Sequence, residues 1–197
     1  MRTGNQDSAS YADHPKYDSV KIGVEMNDLP SSYRAMSKRE LIKWTLNYTK
    51  DWAVETFRRI PDERLASRAH PSINSAAWLF AHIAVTERKH IGLALEGIDD
   101  VPAKYRIFHA GSHPTDDQVS DAYGSKEELI AYWQDVRAKT EQYLDSITDE
   151  DLCAVSPVEF GGPNRHNPRR EWFVMTIQHQ NYHWGQLAVV EKIINST

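Results

Sequence analysis

The feature that most constrains this chain is a proline-free run from Trp172 to Ile194 that contains the segment QHQNYHWGQ, Gln178 to Gln186. Stepping about 100° per residue from His179, one stripe collects Trp172, Met175, Thr176, His183, Gln186, Val190, Ile193 and Ile194. That period predicts a long amphipathic helix, opened by Pro168 and running from about Arg169 to Asn195. His179 and His183 are four apart on its core-facing side, about 40° from each other around the axis and one turn along it. Both imidazoles can therefore point at one atom. A buried imidazole needs its nitrogens satisfied, which leaves two readings: a shared metal ion, or two core histidines bonded to side chains or water.

The rest of the chain supplies partners for this helix. Ser37 followed by Glu40 is a capping box opening a first helix, about Lys38 to Ile60, with Leu41, Trp44, Thr45, Tyr48, Trp52 and Phe57 as its apolar face and Pro61 closing it. Asn74 or Ser75 caps a second helix that reaches about Glu96 before Gly97. Its stripe joins Trp78, Leu79, Val85, Thr86 and Leu93 to His82, which therefore faces the core. His90 falls about 80° off that stripe and is expected at the periphery, and Glu87 is about 140° from His82. Ser125 and Glu128 form another capping-box pattern, opening a third helix from about Lys126 to Ile147 with Leu129, Tyr132, Trp133, Val136, Thr140, Tyr143, Leu144 and Ile147 in phase. DEDL at 149–152 is expected to add one helical turn.

Between the second and third helices lies a connection from Gly97 to Gly124, containing Pro102, Gly111 and Pro114. Neighbouring antiparallel helices are commonly joined by about two to eight residues, so this length predicts a crossover along the bundle. The expected architecture is all-α: a four-helix bundle over residues 37–197, preceded by an irregular N-terminal arm over 1–36. Within the arm, Tyr17, Val20, Ile22 and Val24 are expected to form a short strand-like segment.

Composition excludes several classes of function. A formal charge of −5 argues against a nucleic-acid partner, since phosphate neutralisation needs a concentrated basic surface. The basic cluster Arg165, His166, Arg169 and Arg170 is too small for that, but it could meet an anionic small molecule. No segment approaches the roughly 18 apolar residues of a membrane span, and the N-terminus lacks an apolar signal region. A cytoplasmic protein with no membrane partner is expected. The single cysteine, Cys153, excludes an intramolecular disulfide and fits a reducing compartment; no basic neighbour in LCAVS lowers its pKa toward a nucleophile.

If His82 meets His179 and His183 in the bundle interior, three neutral imidazoles can hold a divalent ion and leave a position open, the pattern of a catalytic rather than a structural site. Zinc or nickel suits such ligands. A bound thiol, or a bound water, would lose its proton more readily there. HQNYH has no glutamate directly after its first histidine and so is not a zincin motif. Gln186 is placed to bond a ligand or a nearby water, or to pack as a helix amide, while Tyr182 and Trp184 leave the stripe and are expected to pack or to edge a pocket.

WLFAHIAVTE on the second helix and IQHQNYHWGQLAVVE on the last together resemble the DinB-like family of metal-binding four-helix bundles, with its helix-two histidine and its HxxxH followed by GQ. The likeness covers about Ser37 to Asn195. It implies an up-down-down-up bundle, a metal site at His82, His179 and His183, and a homodimer. It also implies a small-molecule reaction, since characterised relatives include S-transferases and isomerases that use low-molecular-weight thiols such as bacillithiol or mycothiol. The expectation is thus a metal-dependent thiol S-transferase, with Arg165, Arg169 or Arg170 receiving carboxylates of the thiol. The alternatives are a metal-dependent hydrolase and a non-catalytic metal-binding stress-response protein. The N-terminal extension and the GG-containing loop before the last helix depart from shorter family members.

Overall fold

The computed structural model describes residues 36–158 and 167–196, and contacts divide the chain into a unit Met1–Ala35 and a unit Met36–Thr197. The N-terminal arm with its expected strand-like segment, and Arg165 and His166 of the basic cluster, lie outside the described residues. Five α-helices and no strand are formed among those residues: α1 Lys38–Arg58, α2 Ala76–Arg88, α3 Asp116–Tyr123, α4 Lys126–Ser146 and α5 Arg169–Asn195. DEDL ends in a single 3-10 turn, Asp151–Cys153.

Local chemistry sets most of the boundaries. Ser37 and Glu40 cap α1 reciprocally, and Ser75 Oγ accepts from the Trp78 amide to start α2. At α4 Ser125 accepts from the Glu128 amide, but the Glu128 carboxylate turns instead to Lys104 Nζ at 3.0 Å. After Arg88, α2 continues as a π-helix over Lys89–Glu96 and stops at Gly97, whose φ of +72° suits a residue without Cβ. Arg88 spans this wider segment, pairing with Glu96 at 3.1 Å and with Asp100 at 2.5 Å.

Side-chain pairings fix the direction and order of the four long helices. Arg39 meets Asp149 and Lys126 meets the Ile60 carbonyl, so α1 and α4 run antiparallel. Thr49 meets Asn181 and Arg59 meets Glu191, so α1 and α5 run parallel. His82 meets His179 while His90 meets Thr176, which makes α2 and α5 antiparallel. Phe80 packs edge-on against Trp133 and Glu87 bonds Thr140, which makes α2 and α4 parallel. Up, down, down, up is the only assignment that satisfies all four pairings. Because α2 and α4 are parallel, the chain must return along the bundle between them, and the connection does so. It carries a 3-10 helix, Ala103–Phe108, and then α3, burying Tyr105, Phe108 and Val119 against the core.

Two faces differ from the sequence reading. On α1, Leu41, Trp44, Tyr48 and Trp52 are exposed by 53, 48, 51 and 47%, and the buried side is Leu46, Thr49, Ala53, Val54, Thr56 and Phe57. Both stripes have helical spacing. The one with Thr49 and Ala53 is narrow enough to seat between α4 and α5, whereas the large rings form a ladder on the surface, Trp44 stacked on Tyr48 at 5.4 Å. On α5, Trp172, Thr176, Val190 and Ile194 are buried as read, but Phe173, Gln180 and Leu187 are buried too. This helix packs against both α1 and α2, so its buried face is wider than one stripe.

A polar knot sits inside the core beside that second stripe. Glu87 is fully buried and accepts from Arg137 Nε at 2.8 Å and Nη2 at 2.9 Å, Trp133 Nε1 at 2.7 Å, Thr140 Oγ1 at 2.8 Å and Gln180 Nε2 at 2.7 Å. Burial alone would raise the carboxyl pKa; the Arg137 charge and these donors outweigh it and hold the group below the usual carboxylate range. The knot joins α2, α4 and α5 through one ion pair.

Candidate metal centre

The antiparallel seam of α2 and α5 brings His82, His179 and His183 together, one ring nitrogen of each lying within 4.8 Å of the other two. Ring centroids are 4.8 Å apart for His82 and His179, 4.7 Å for His82 and His183, and 4.4 Å for His179 and His183. His82 Nε2 and His179 Nε2 approach to 3.0 Å. Trp78, one turn before His82, stacks on its ring at 4.4 Å and 17° and is held by donating Nε1 to Ser112 Oγ at 3.2 Å. The crossover connection therefore braces the site from outside the two helices that carry the histidines.

The protons on these rings can be placed from their partners. His82 Nδ1 lies 2.6 Å from the Phe108 carbonyl oxygen, which can only accept, so Nδ1 carries the hydrogen and a neutral ring presents a bare Nε2. His183 Nδ1 donates in the same way to Gln186 Oε1 at 2.7 Å, and Gln186 Nε2 in turn donates to Tyr182 Oη at 3.2 Å. With Nε2 of His82 bare, the 3.0 Å contact is a hydrogen bond donated by His179; moving that proton to Nδ1 would turn the same nitrogen into a ligand.

All three rings are held neutral at pH 7. Burial pushes His82 down to about 4, despite the Phe108 carbonyl, which favours the cation. Burial and the neighbouring histidines push His179 down to about 2, and burial lowers His183. A cluster of neutral, oriented imidazoles fits a borderline divalent ion. Tetrahedral zinc–imidazole bonds imply nitrogens about 3.3 Å apart, between the 3.0 Å contact and the 4.8 Å outer limit seen here. Among the described residues no carboxylate or thiol joins the three.

Other residues singled out in the sequence fall in different places. Gln186 is at the site, but its carbonyl oxygen is engaged by His183. Arg169 and Arg170 open α5, ten and nine residues before His179, about 15 Å away along the axis. Arg169 faces Asp151 at 3.9 Å, and Arg170 is exposed. The fold does not bring either to the histidines. Trp184 packs as expected, donating Nε1 to Thr56 Oγ1 at 3.2 Å, and Tyr182 is 64% exposed.

One histidine was misplaced by the sequence reading. His90, expected at the periphery, lies against the site: its ring centroid is 6.2 Å from that of His179, and Nδ1 is 2.9 Å from Thr176 Oγ1. Burial holds it down to about 4. The 80° offset assumed α-helical turns, whereas Lys89 and His90 already belong to the π-helix, whose wider turn advances less per residue and carries His90 back toward α5. The other missed contributor is the Phe108 carbonyl. Its one sequence signal was the Thr115–Gln118 capping box, which marks α3 and so a folded connection rather than a bare strap.

The all-α up-down-down-up bundle with a histidine cluster on one seam defines a class of helical bundle able to hold a metal. The DinB superfamily model matches residues 46–187, and the chain belongs to that superfamily. Its fold is similar to a crystal structure of a conserved protein from Enterococcus faecalis, with 22% identity and a TM-score of 0.65, covering 83% of this chain and all of that one. It is also similar to the structure titled sibling lethal factor precursor, DfsB, at 18% identity and a TM-score of 0.57, covering 80% of this chain and 96% of that one. No curated protein matches the sequence.

Proposed function

We propose that this protein is a metal-dependent enzyme that transfers a small thiol to an electrophilic small molecule, with His82, His179 and His183 as ligands of a zinc or nickel ion. The observation that carries the reading is the orientation of the rings: two of three Nδ1 atoms are committed to acceptors, which turns bare nitrogens into a shared space. A divalent ion held there would supply Lewis acidity, stabilising a thiolate at neutral pH. The protein's own contribution is to keep the ligands neutral by burial, to fix the His82 tautomer through Phe108 and the His183 tautomer through Gln186, and to exclude bulk water with Trp78. A reducing cytoplasmic setting accords with a thiol substrate and with one exposed cysteine, Cys153. Nucleic acid and membrane are not part of this reading. Among the described residues no helix is long and apolar enough to cross a membrane.

The test is direct. Protein purified without a histidine tag should contain about one zinc or nickel per chain and should accelerate the conjugation of small thiols to a reactive electrophile. His183→Ala should remove both while leaving the far-ultraviolet circular dichroism of the bundle unchanged. Turnover that needs no thiol would favour the hydrolase, with water in place of the thiol. A metal-free protein that takes up neither ion would overturn the site.

A further inference from the structure

A cavity of about 250 Å³ is lined by Val85, Thr86, Lys89, His90, His109 and Ala110. Its wall reaches the site through two of those residues. His90 packs with its ring centroid 6.2 Å from that of His179, and His109 directly follows Phe108, whose carbonyl accepts from His82 Nδ1 at 2.6 Å. Along α2, Lys89 is seven residues, about two turns, beyond His82, hence on nearly the same face and about 10 Å along the axis. Helical side chains lean toward the N-terminus, the direction in which His82 lies along α2.

Lys89 is also uncommitted. Among the described residues, the basic side chains around this region have carboxylates: Arg88 with Glu96 and Asp100, Arg106 with Asp99, Lys139 with Asp100 and Asp135. In the adjoining groove of about 570 Å³, which shares His109 with the smaller cavity, Lys104 is paired with Glu128 at 3.0 Å. Among the described residues Lys89 forms no ion pair, and it is half-buried. Its remaining neighbours in the cavity, Val85, Thr86, His90, His109 and Ala110, include no carboxylate. A half-buried lysine that pairs with no carboxylate among the described residues, on the wall of a small cavity, is free to receive an anion there.

We infer that this cavity seats the substrate and that Lys89 recognises a carboxylate on it, placed about one short alkyl chain from the histidines. This rests on the three-histidine reading, and it moves the anion-recognising role from Arg169 and Arg170 to Lys89. The carboxylate can belong either to the thiol or to the electrophile, and Lys89 would recognise both in the same way.

Calorimetry on zinc-loaded protein tests this with three probes: 6-mercaptohexanoate, 6-mercaptohexanol and hexanoate. The mercaptocarboxylate should bind at least about tenfold more tightly than the mercaptoalcohol, the scale of one charge-assisted hydrogen bond. Lys89→Gln should abolish that preference with zinc content unchanged, and Lys89→Arg should retain most of it. If the two thiols bind alike but hexanoate binds in a Lys89-dependent manner, the cavity still recognises a carboxylate and the electrophile is its source. Equal binding of both thiols, with hexanoate binding absent or indifferent to Lys89→Gln, overturns the proposal. Metal content of the wild-type protein is read separately: a protein that takes up neither zinc nor nickel sinks the three-histidine reading, and the hexanoate titration of metal-free protein then still judges Lys89.

Discussion

At the scale of single residues, the site depends on histidines that the fold keeps uncharged. His82 and His90 are held near 4 and His179 near 2, mainly by burial, against an ordinary value near 6.5. Above that ordinary value neither the folded nor the unfolded chain protonates them, and they add no pH dependence. Below it, the unfolded chain takes up protons that the folded chain refuses, so stability falls as pH falls from about 6.5 toward 4. Each such histidine contributes a slope of up to about 1.4 kcal/mol per pH unit. Urea denaturation of chelator-treated protein should accordingly show a lower midpoint at pH 5 than at pH 7, and His90→Gln should flatten the dependence. A midpoint that stays constant across that range would contradict the burial of these rings.

At the scale of elements, the π-helical end of α2 is the segment whose geometry matters most to the site, because it turns His90 and Lys89 toward α5 and the cavity. Its packing leaves no room for a side chain at Gly92. A Cβ there would lie 2.8 Å from the Ile98 carbonyl oxygen and 2.7 Å from Arg88 Cζ, and the Ile98 amide already donates to the Gly92 carbonyl at 2.8 Å. Backbone cannot give way as a flexible side chain can. Gly92→Ala should destabilise the protein by about 1–3 kcal/mol, despite alanine's better helix propensity, and should be read by thermal or denaturant unfolding. An unchanged or raised stability would mean that the Gly92 turn is looser than its contacts indicate.

At the scale of the whole molecule, a metal at the histidines would clip α2 to α5, two elements about 90 residues apart in sequence. Such a ligand binds the folded chain and stabilises it by mass action. At one hundred times its Kd, zinc should add about 2.7 kcal/mol, and a domain of this size should gain several degrees in melting temperature. The shift should grow with the logarithm of free zinc and vanish in His82→Ala. The buried Glu87–Arg137 pair fastens α4 to the same seam, so the seam has a buried ionic fastening that needs no metal and another that would be completed by one.

The sequence by itself determined the four long helices and the three histidines, though not α3 within the crossover. Capping residues act over three or four positions, and helical periodicity acts over one element, so Ser37, Ser75, Ser125, Pro168 and the spacing of His179 and His183 could be read directly. The family motifs added the chain direction, which the side-chain pairings bear out. What only the tertiary structure decided depends on which surfaces meet. The aromatic stripe of α1 is more apolar to the eye, yet its narrower face is the one the bundle buries. Glu87 and Arg137 are charged in isolation and become core only because each finds the other. His90 reaches the site through a π-turn, which arises from tertiary packing and leaves no periodic trace. The same is true of the Phe108 carbonyl: every residue has one, and only the path of the crossover brings this one to His82.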